Sequence, residues 1–511
     1  MPSTKPGDIF WKECKLINAF DNELDILALI VELNLYEDIY SPSLSGIVTI
    51  VDTHNLIGRF PILGEEKLKI EVETPNRQSD DKKAQGFTSF NIKQTFHIYK
   101  VANRKIEMNK QLYQLYFFSE EAYKSHGLAW SLPFSGTADQ IIKQIVTEKL
   151  ESQKPIVSSS SSNFMKFVSP YWSPFECIKY ITTHALAPTT TKQADFLFFE
   201  TNRDYKFDSL STLKSTEIVE TYYYDHSRAI PGEGGGGMSQ QQAMLAEQTS
   251  GMGVQDSALS SNTSDISRQM ASIIDFRYVT LGDWVERVDN EGIARLTITH
   301  DLVTKTVNYL QYDIEKHYDD MTHLGGSLVG STKDESKDKY RYYVDAKKNP
   351  PTKDSEYNTG VAWSYHHSYD ELKEDWSAQA RHTRRSYLAL QEFIKLDIDI
   401  WGNTALTIGD CIWINFGKLL STPDNEKDPN DPVMTGKYLI TAIAHRMAPN
   451  QHLMTMRVVK DSVGVDLEEY SKQQFSQLQN TAQNKPPDPA QAASGGKSQQ
   501  QRMLDEQIAG F

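Results

Sequence analysis

Apolar and polar residues alternate with a period of two through several stretches of the chain. Each such stretch predicts a strand with one buried face. Ile394, Leu396, Ile398 and Ile400 fall in one phase; Lys395, Asp397 and Asp399 fall in the other. Turn residues follow at Gly402-Asn403 and again at Gly409-Asp410, so residues 396–417 read as strand, tight turn, strand. Leu68, Ile70 and Val72 alternate in the same way with Lys69 and Glu71. Two apolar runs before and after Tyr40-Ser41-Pro42-Ser43 predict strands joined by that loop, because Pro42 and the serines favour a turn. "FHIYKV" and "QLYQLYFF" add another pair. Strands that return this quickly predict an antiparallel barrel or sandwich over residues 1–119.

From about residue 120 the period lengthens to that of a helix. Thr137 with Gln140 forms a capping-box pattern, and Ile141, Ile142, Ile145, Val146 and Leu150 follow at helical spacing. A run of serines at 158–162 reads as a flexible link. Ser173, Pro174 and Glu176 mark a second helix start, and "DFLFFET" and "YKFDSL" read as short strands. Residues 120–210 are therefore expected to form a small α+β domain.

Residues 217–224 are one more β run. Leu372, Trp376, Ala380, Thr383, Tyr387 and Leu390 step by three and four, which predicts a helix with Arg381, Arg384 and Arg385 off its apolar face. "KYLITAIAHRM" and "LMTMRVVKD" complete an antiparallel set. The pattern predicts a second tube-like β-barrel over 211–230 and 370–465, interrupted by a Gly/Gln-rich mobile insertion at 231–264 and a mixed domain at 265–369. A polar tail occupies 466–511. The expected fold class is thus α+β and β-dominated, with two tube-like antiparallel barrels and smaller α+β domains. One internal repeat stands out: residues 236–252 return as 495–511, each with three glutamines before a Met-Leu step. Met244-Leu245 and Met503-Leu504, each behind a glycine hinge, are candidate docking peptides, with duplicated linker as the alternative.

Composition narrows the picture. The 511 residues carry a formal charge of −15, which argues against non-specific binding to DNA or anionic membranes. Three widely spaced cysteines, Cys14, Cys177 and Cys411, form neither a disulfide framework nor a metal site and read as buried apolar groups. The N-terminus lacks the apolar core of a signal peptide, and no stretch approaches the ~18 apolar residues of a membrane helix.

Templates for chemistry are poorly met. "GEGGGG" lacks the Lys-Ser/Thr of a phosphate loop. His317, Asp319, Asp320 and His323 are ion-ligand types, but no further ligand cluster accompanies them and they read as solvated loop charge. Neighbouring His366 and His367 point apart on either kind of element. No nucleophile elbow is present. The expectation is a structural protein, not an enzyme, with no cofactor and no metal.

The order of motifs resembles the baseplate hub protein of contractile-tailed, T-even-like bacteriophages. The resemblance is carried by "LYEDIYSPSLSGIVTIVDTHNLIGRFPILGEEKLKIEV", by "PYWSPFECIKYITTHAL" followed by "DFLFFET", by "ARLTITHDL", and by "LDIDIWGNTALTIGDCIWINF" with "GKYLITAIAHRM". Together these span about residues 10–461. The resemblance implies a homotrimer whose two barrels per chain make a pseudo-sixfold ring, joining a threefold central spike to a sixfold tail tube or tube-initiator protein. It also implies surrounding baseplate wedge proteins, an acidic lumen that passes DNA without binding it, and a place in the virion after assembly in the bacterial host cytoplasm. Contractile injection systems of the type VI kind are similar but continue into a spike. In this setting Tyr40, Ser41, Pro42 and Ser43 are a candidate inter-subunit loop. Two other readings stand beside it: a receptor-binding tail protein, using Tyr36, Tyr40, Tyr222, Tyr223 and Tyr224, and a cell-wall-degrading enzyme.

Overall fold

The computed structural model describes residues 6–60, 62–74, 91–107, 110–188, 194–224, 270–282, 294–300, 305, 307–313, 318, 321–325, 361–365, 384–385, 387–417, 430–465, 470, 472 and 475. Residues Met1–Val463 pack as one unit and Gly464–Phe511 as another. Met244, Leu245, Met503 and Leu504 lie outside the described residues, as do His317, Asp319, Asp320, His366 and His367.

The first part of the chain gives β1 (Phe10–Ile17), β2 (Glu23–Asp25), β3 (Ile30–Asp38), β4 (Ser45–Asp52), the short helix α1 (Leu56–Arg59), β5 (Lys67–Glu73), β6 (Ile92–Glu107) and β7 (Lys110–Ser119). The middle gives α2 (Glu120–Gly127), β8 (Pro133–Thr137), α3 (Ala138–Gln144), β9 (Ile156–Ser158), β10 (Phe164–Val168), α4 (Pro174–His184), β11 (Phe196–Glu200), β12 (Tyr205–Ser209) and α5 (Leu210–Ser215). The remainder gives β13 (Ile218–Tyr224), β14 (Asp275–Leu281), β15 (Ala294–His300), β16 (Val307–Asp313), β17 (Val361–Tyr365), β18 (Ile394–Trp401), β19 (Cys411–Phe416), β20 (Gly436–Ala448) and β21 (Gln451–Lys460).

Strands from both predicted barrels form one 13-stranded sheet. Its two halves repeat one strand order. Leaving out the short β2, the first half runs β1-β5-β6-β7-β4-β3 and the closing half β13-β19-β20-β21-β18-β14. Ranked by position in the chain, both read first, fourth, fifth, sixth, third, second. Among the described residues, every ladder of this sheet is antiparallel except β13 with β19, which is parallel. The lead-in to each second strand also bonds back to the first strand. β2 pairs with the end of β1 and Ile26 N donates to Cys14 O at 3.1 Å. In the closing half, Tyr223 N donates to Ala271 O and Ile273 N to Tyr223 O, both at 3.0 Å.

The halves meet at a seam between β3 and β20. One edge of β20 pairs with β19 over 436–439 and then with β3 over 442–447. Met447 of β20 reaches the core of the first half, packing among Leu33, Leu35, Val48, Ile50, Leu115 and Phe117. The middle segment has its own core, in which Ile141, Ile142 and Ile145 meet Ile178 and Ile181 across to Phe196 and Phe207. β15, β16 and β17 form a separate three-stranded sheet, whereas β14, from the same predicted segment, belongs to the main sheet.

The alternation on β18 is as expected: Ile394, Leu396, Ile398 and Ile400 are all buried. The predicted tight hairpin is not formed. β18 pairs with β14 and β21, and β19 with β13 and β20, so the two flank the β20–β21 hairpin on opposite sides. The turn residues end each strand, but the partners come from elsewhere in the chain. Serines 158–162 are also not a free link. Ser159 N donates to Phe207 O, Ser161 Oγ accepts from Ala138 N at the start of α3, and Ser162 N donates to Leu186 O. Short polar side chains here satisfy backbone groups that packing would otherwise orphan. Arg384 likewise turns inward, donating to Phe196 O at 2.6 Å. No helix among the described residues is long and apolar enough to cross a membrane.

Candidate functional site

The candidate inter-subunit loop is the connection between β3 and β4, and its shape follows from its sequence. Asp38 Oδ1 accepts from Tyr40 N at 2.8 Å, and Ser41 N donates to Asp38 O at 3.0 Å, an Asx-type turn. Ser41 Oγ donates to Ser43 O at 2.8 Å. The base of the loop is fixed from outside: Leu44 N donates to Glu200 Oε2 at 2.9 Å, and Ile39 N to Thr441 O at 2.9 Å. Glu200, at the end of β11, is buried and paired with Lys154. Burial pushes its carboxyl up, against the opposing pull of Lys154. Tyr40 keeps about half its surface exposed (48 %). Partial burial of its phenol, with the nearby Glu392 and Asp38, raises its pKa; Arg384 opposes it.

Beside the loop lies an open groove of about 1070 Å³, lined in part by Ser43, Tyr99, Phe118, Tyr123 and His126. Tyr99 stacks on Phe118 with centroids 4.7 Å apart, and Tyr123 stacks on His97 at 4.5 Å. Of the tyrosines named for receptor contact, Tyr36, Tyr40 and Tyr223 are exposed and Tyr222 is buried.

The seam itself holds a buried polar row that the sequence reading missed. Glu37 of β3, His445 of β20 and His452 of β21 are all buried. His445 Nδ1 lies 3.1 Å from His452 Nε2, and His445 Nε2 lies 3.5 Å from Glu37 Oε1. Thr407 Oγ1 donates to Glu37 Oε2 at 2.9 Å. The arrangement fits His452 Nε2–H donating to His445 Nδ1, with His445 Nε2–H directed at the Glu37 carboxyl group. His452 Nδ1 then carries no proton and has no hydrogen-bond partner. Burial, and secondarily His445, holds His452 well below the usual histidine range. Gly402 makes room for this ring: a Cβ there would stand 2.1 Å from the imidazole.

A second buried knot joins α5 to the end of β21. Lys214 Nζ lies 2.7 Å from Asp461 Oδ2, and His323 Nδ1 lies 3.2 Å from the same oxygen. Leu324 N and Ser462 Oγ donate to Asp461 Oδ1. Burial alone would raise Asp461, but Lys214 and His323 outweigh it and hold it well below the usual carboxylate range. His323 is therefore spent on structure. Among the described residues, no three His, Cys, Asp or Glu side chains are grouped to hold a metal ion. All three cysteines are buried, and burial pushes the Cys14 thiol up to about 12.

Two halves of one strand order, fused at a seam lined by buried polar side chains, define a β-dominated protein built by internal repetition of topology. No family model and no curated protein sequence matches the chain. Its structural neighbours are phage tail, prophage tail and baseplate proteins. It is similar to a tail protein from Neisseria meningitidis at 8 % identity and TM-score 0.47, covering 88 % of this chain and 96 % of that one. It is similar to the 43 kDa tail protein of prophage MuSo2 from Shewanella oneidensis at 8 % identity and TM-score 0.48, covering 88 % and 99 %. An Escherichia coli component of the type VI secretion system, itself similar to T4 tail proteins gp27 and gp5, matches at 11 % identity and TM-score 0.30, covering 85 % and 74 %.

Proposed function

We propose that this chain is the structural baseplate hub of a contractile phage tail: a homotrimer that adapts a threefold central spike to a sixfold tail tube and forms part of the DNA channel. The observation that carries this reading is the repeated strand order of the two sheet halves. A chain that presents one topology twice can occupy two neighbouring positions of a ring, so three chains can imitate sixfold symmetry. Each half is read as a tube-like barrel, with the lead-in of its second strand returning to its first. The order of motifs along the sequence supports the same assignment.

The role is mechanical, not catalytic. The partners proposed are two further copies of the chain, a central spike, a tube or tube-initiator protein above and wedge proteins around. The location is the virion baseplate. The charge of −15 suits a lumen that repels phosphate and lets DNA slide. Negative-stain imaging of the purified chain, with native mass spectrometry, tests the reading. A threefold particle with a near-sixfold ring and a central hole is expected. Monomers at every concentration, alone and with a spike protein, overturn it.

A further inference from the structure

The repeated strand order has an asymmetry. In the closing half, the fifth strand, β20, spends one edge on two partners: β19 over 436–439, then β3 over 442–447. Its counterpart in the first half is β6. One edge of β6 pairs with β5 over 92–97 and then continues to Glu107 with no strand ladder on that edge among the described residues. The second strand behaves likewise. β3 pairs with β4 on one edge and β20 on the other. Its counterpart β14 pairs with β18 on one edge, and no ladder occupies its other edge among the described residues. Both open edges are solvent-exposed: Tyr278 is 53 %, Val279 44 % and Leu281 56 % exposed on β14, and Ile106 is 70 % exposed on β6.

We infer that β14 of one copy of this chain pairs antiparallel with the distal stretch of β6, about residues 100–105, in a second copy. The occupant is a second copy because the same contact, second strand on fifth strand, already exists once inside the chain as β3 on β20. The missing contact is the same geometry offered between chains. Such an edge is a ready template for strand addition. A contact of two different surfaces repeated by rotation closes into a ring or runs on as a filament. The inference rests on the hub reading, which supplies the number of copies, and adds which strands hold the copies together.

Cysteine pairing tests it, because all three native cysteines are buried. Val279→Cys would be combined in turn with Val101→Cys, Ala102→Cys and Lys105→Cys, which together span the register. After mild oxidation, at least one pair should give dimer and closed-trimer bands on a denaturing gel. On the wild-type protein, hydrogen exchange should slow in β14 and in residues 100–105 when the oligomer assembles. Trimers by native mass spectrometry with no cross-link from any pair, and with unchanged exchange in both segments, overturn the inference and leave the hub reading standing. Monomers throughout overturn the hub reading and the inference with it.

Discussion

His445 Nδ1, on the stretch of β20 that pairs with β3, lies 3.1 Å from His452 Nε2 of β21, and both rings are buried. The groups facing this pair are Glu37 at 3.5 Å, with Thr407 on its far oxygen and the charges of Arg203 and Asp410 nearby. Folding keeps His452 neutral, with its pKa below the 6.5 it would have when unfolded. The unfolded chain therefore binds the extra proton first as pH falls. Stability from this residue is complete above 6.5 and is lost progressively below it, by about tenfold in the folding constant per pH unit. Urea unfolding at pH 7.5 and 5.5 should show this loss in the wild type. His452→Gln, which can still donate to His445, should remove that part of the pH dependence; an unchanged dependence refutes the assignment.

Lys214 and Asp461 are both buried and directly paired. Removing one partner leaves a charge stranded in the interior. Lys214→Met should cost about 3–5 kcal/mol, and the double variant Lys214→Met/Asp461→Leu should recover part of it. Chemical denaturation of the three proteins reads the coupling directly. Equal losses in single and double variants would show that packing, not charge pairing, sets the cost.

Lys460 is buried, donating to Thr435 O at 2.9 Å and Val433 O at 3.1 Å, and burial lowers its pKa to about 8 against the opposing pull of Asp461 and Asp431. A cation depressed by folding releases its proton earlier in the native state. The contribution of Lys460 to stability should therefore rise between pH 8 and 10.5, by about 1.4 kcal/mol per unit. The difference in unfolding free energy between wild type and Lys460→Met across that window isolates it from the tyrosines that titrate nearby. A flat difference would mean that Lys460 keeps its proton.

Glu200 fixes the base of the Tyr40–Ser43 loop through Leu44 N. Glu200→Ala should free that amide and raise its hydrogen exchange, together with that of the loop, while β18 and β21 keep theirs. Protection at Leu44 equal to wild type would show that the β4 ladder alone holds the loop.

The strands were legible because their alternation is local. Leu68, Ile70 and Val72 sit where their period places them, and Ser173 and Glu176 form the capping box their spacing implies. Pairing was less legible, because a turn residue reports that a strand ends and not which strand comes next to it. Gly402-Asn403 and Gly409-Asp410 therefore suggested a hairpin where β18 and β19 go to opposite flanks of β20–β21. The seam did leave a signal. Glu37 stands in phase with Leu33 and Leu35, His445 with Ile443 and Met447, and His452 with Met454 and Met456. An ionisable group in the apolar phase of a strand marks a buried polar contact, and three of them on different strands can answer one another. Arg384 was hidden for the opposite reason: its carbonyl partners, Phe196 of β11 and Thr182 of α4 among them, come from distant segments, and helical spacing says nothing of them.

The seam also sets an order of events during synthesis. β3 leaves the ribosome long before β20, so the outer edge of β3 stays unpaired while everything between the two strands is made. The first half can complete its own core before that, but its open edge resembles the one that joins copies. Premature strand capture by another nascent chain is the hazard this topology creates. Slow translation, low expression temperature or a chaperone that shields β3 should therefore raise the yield of native protein more than any change to the closing half.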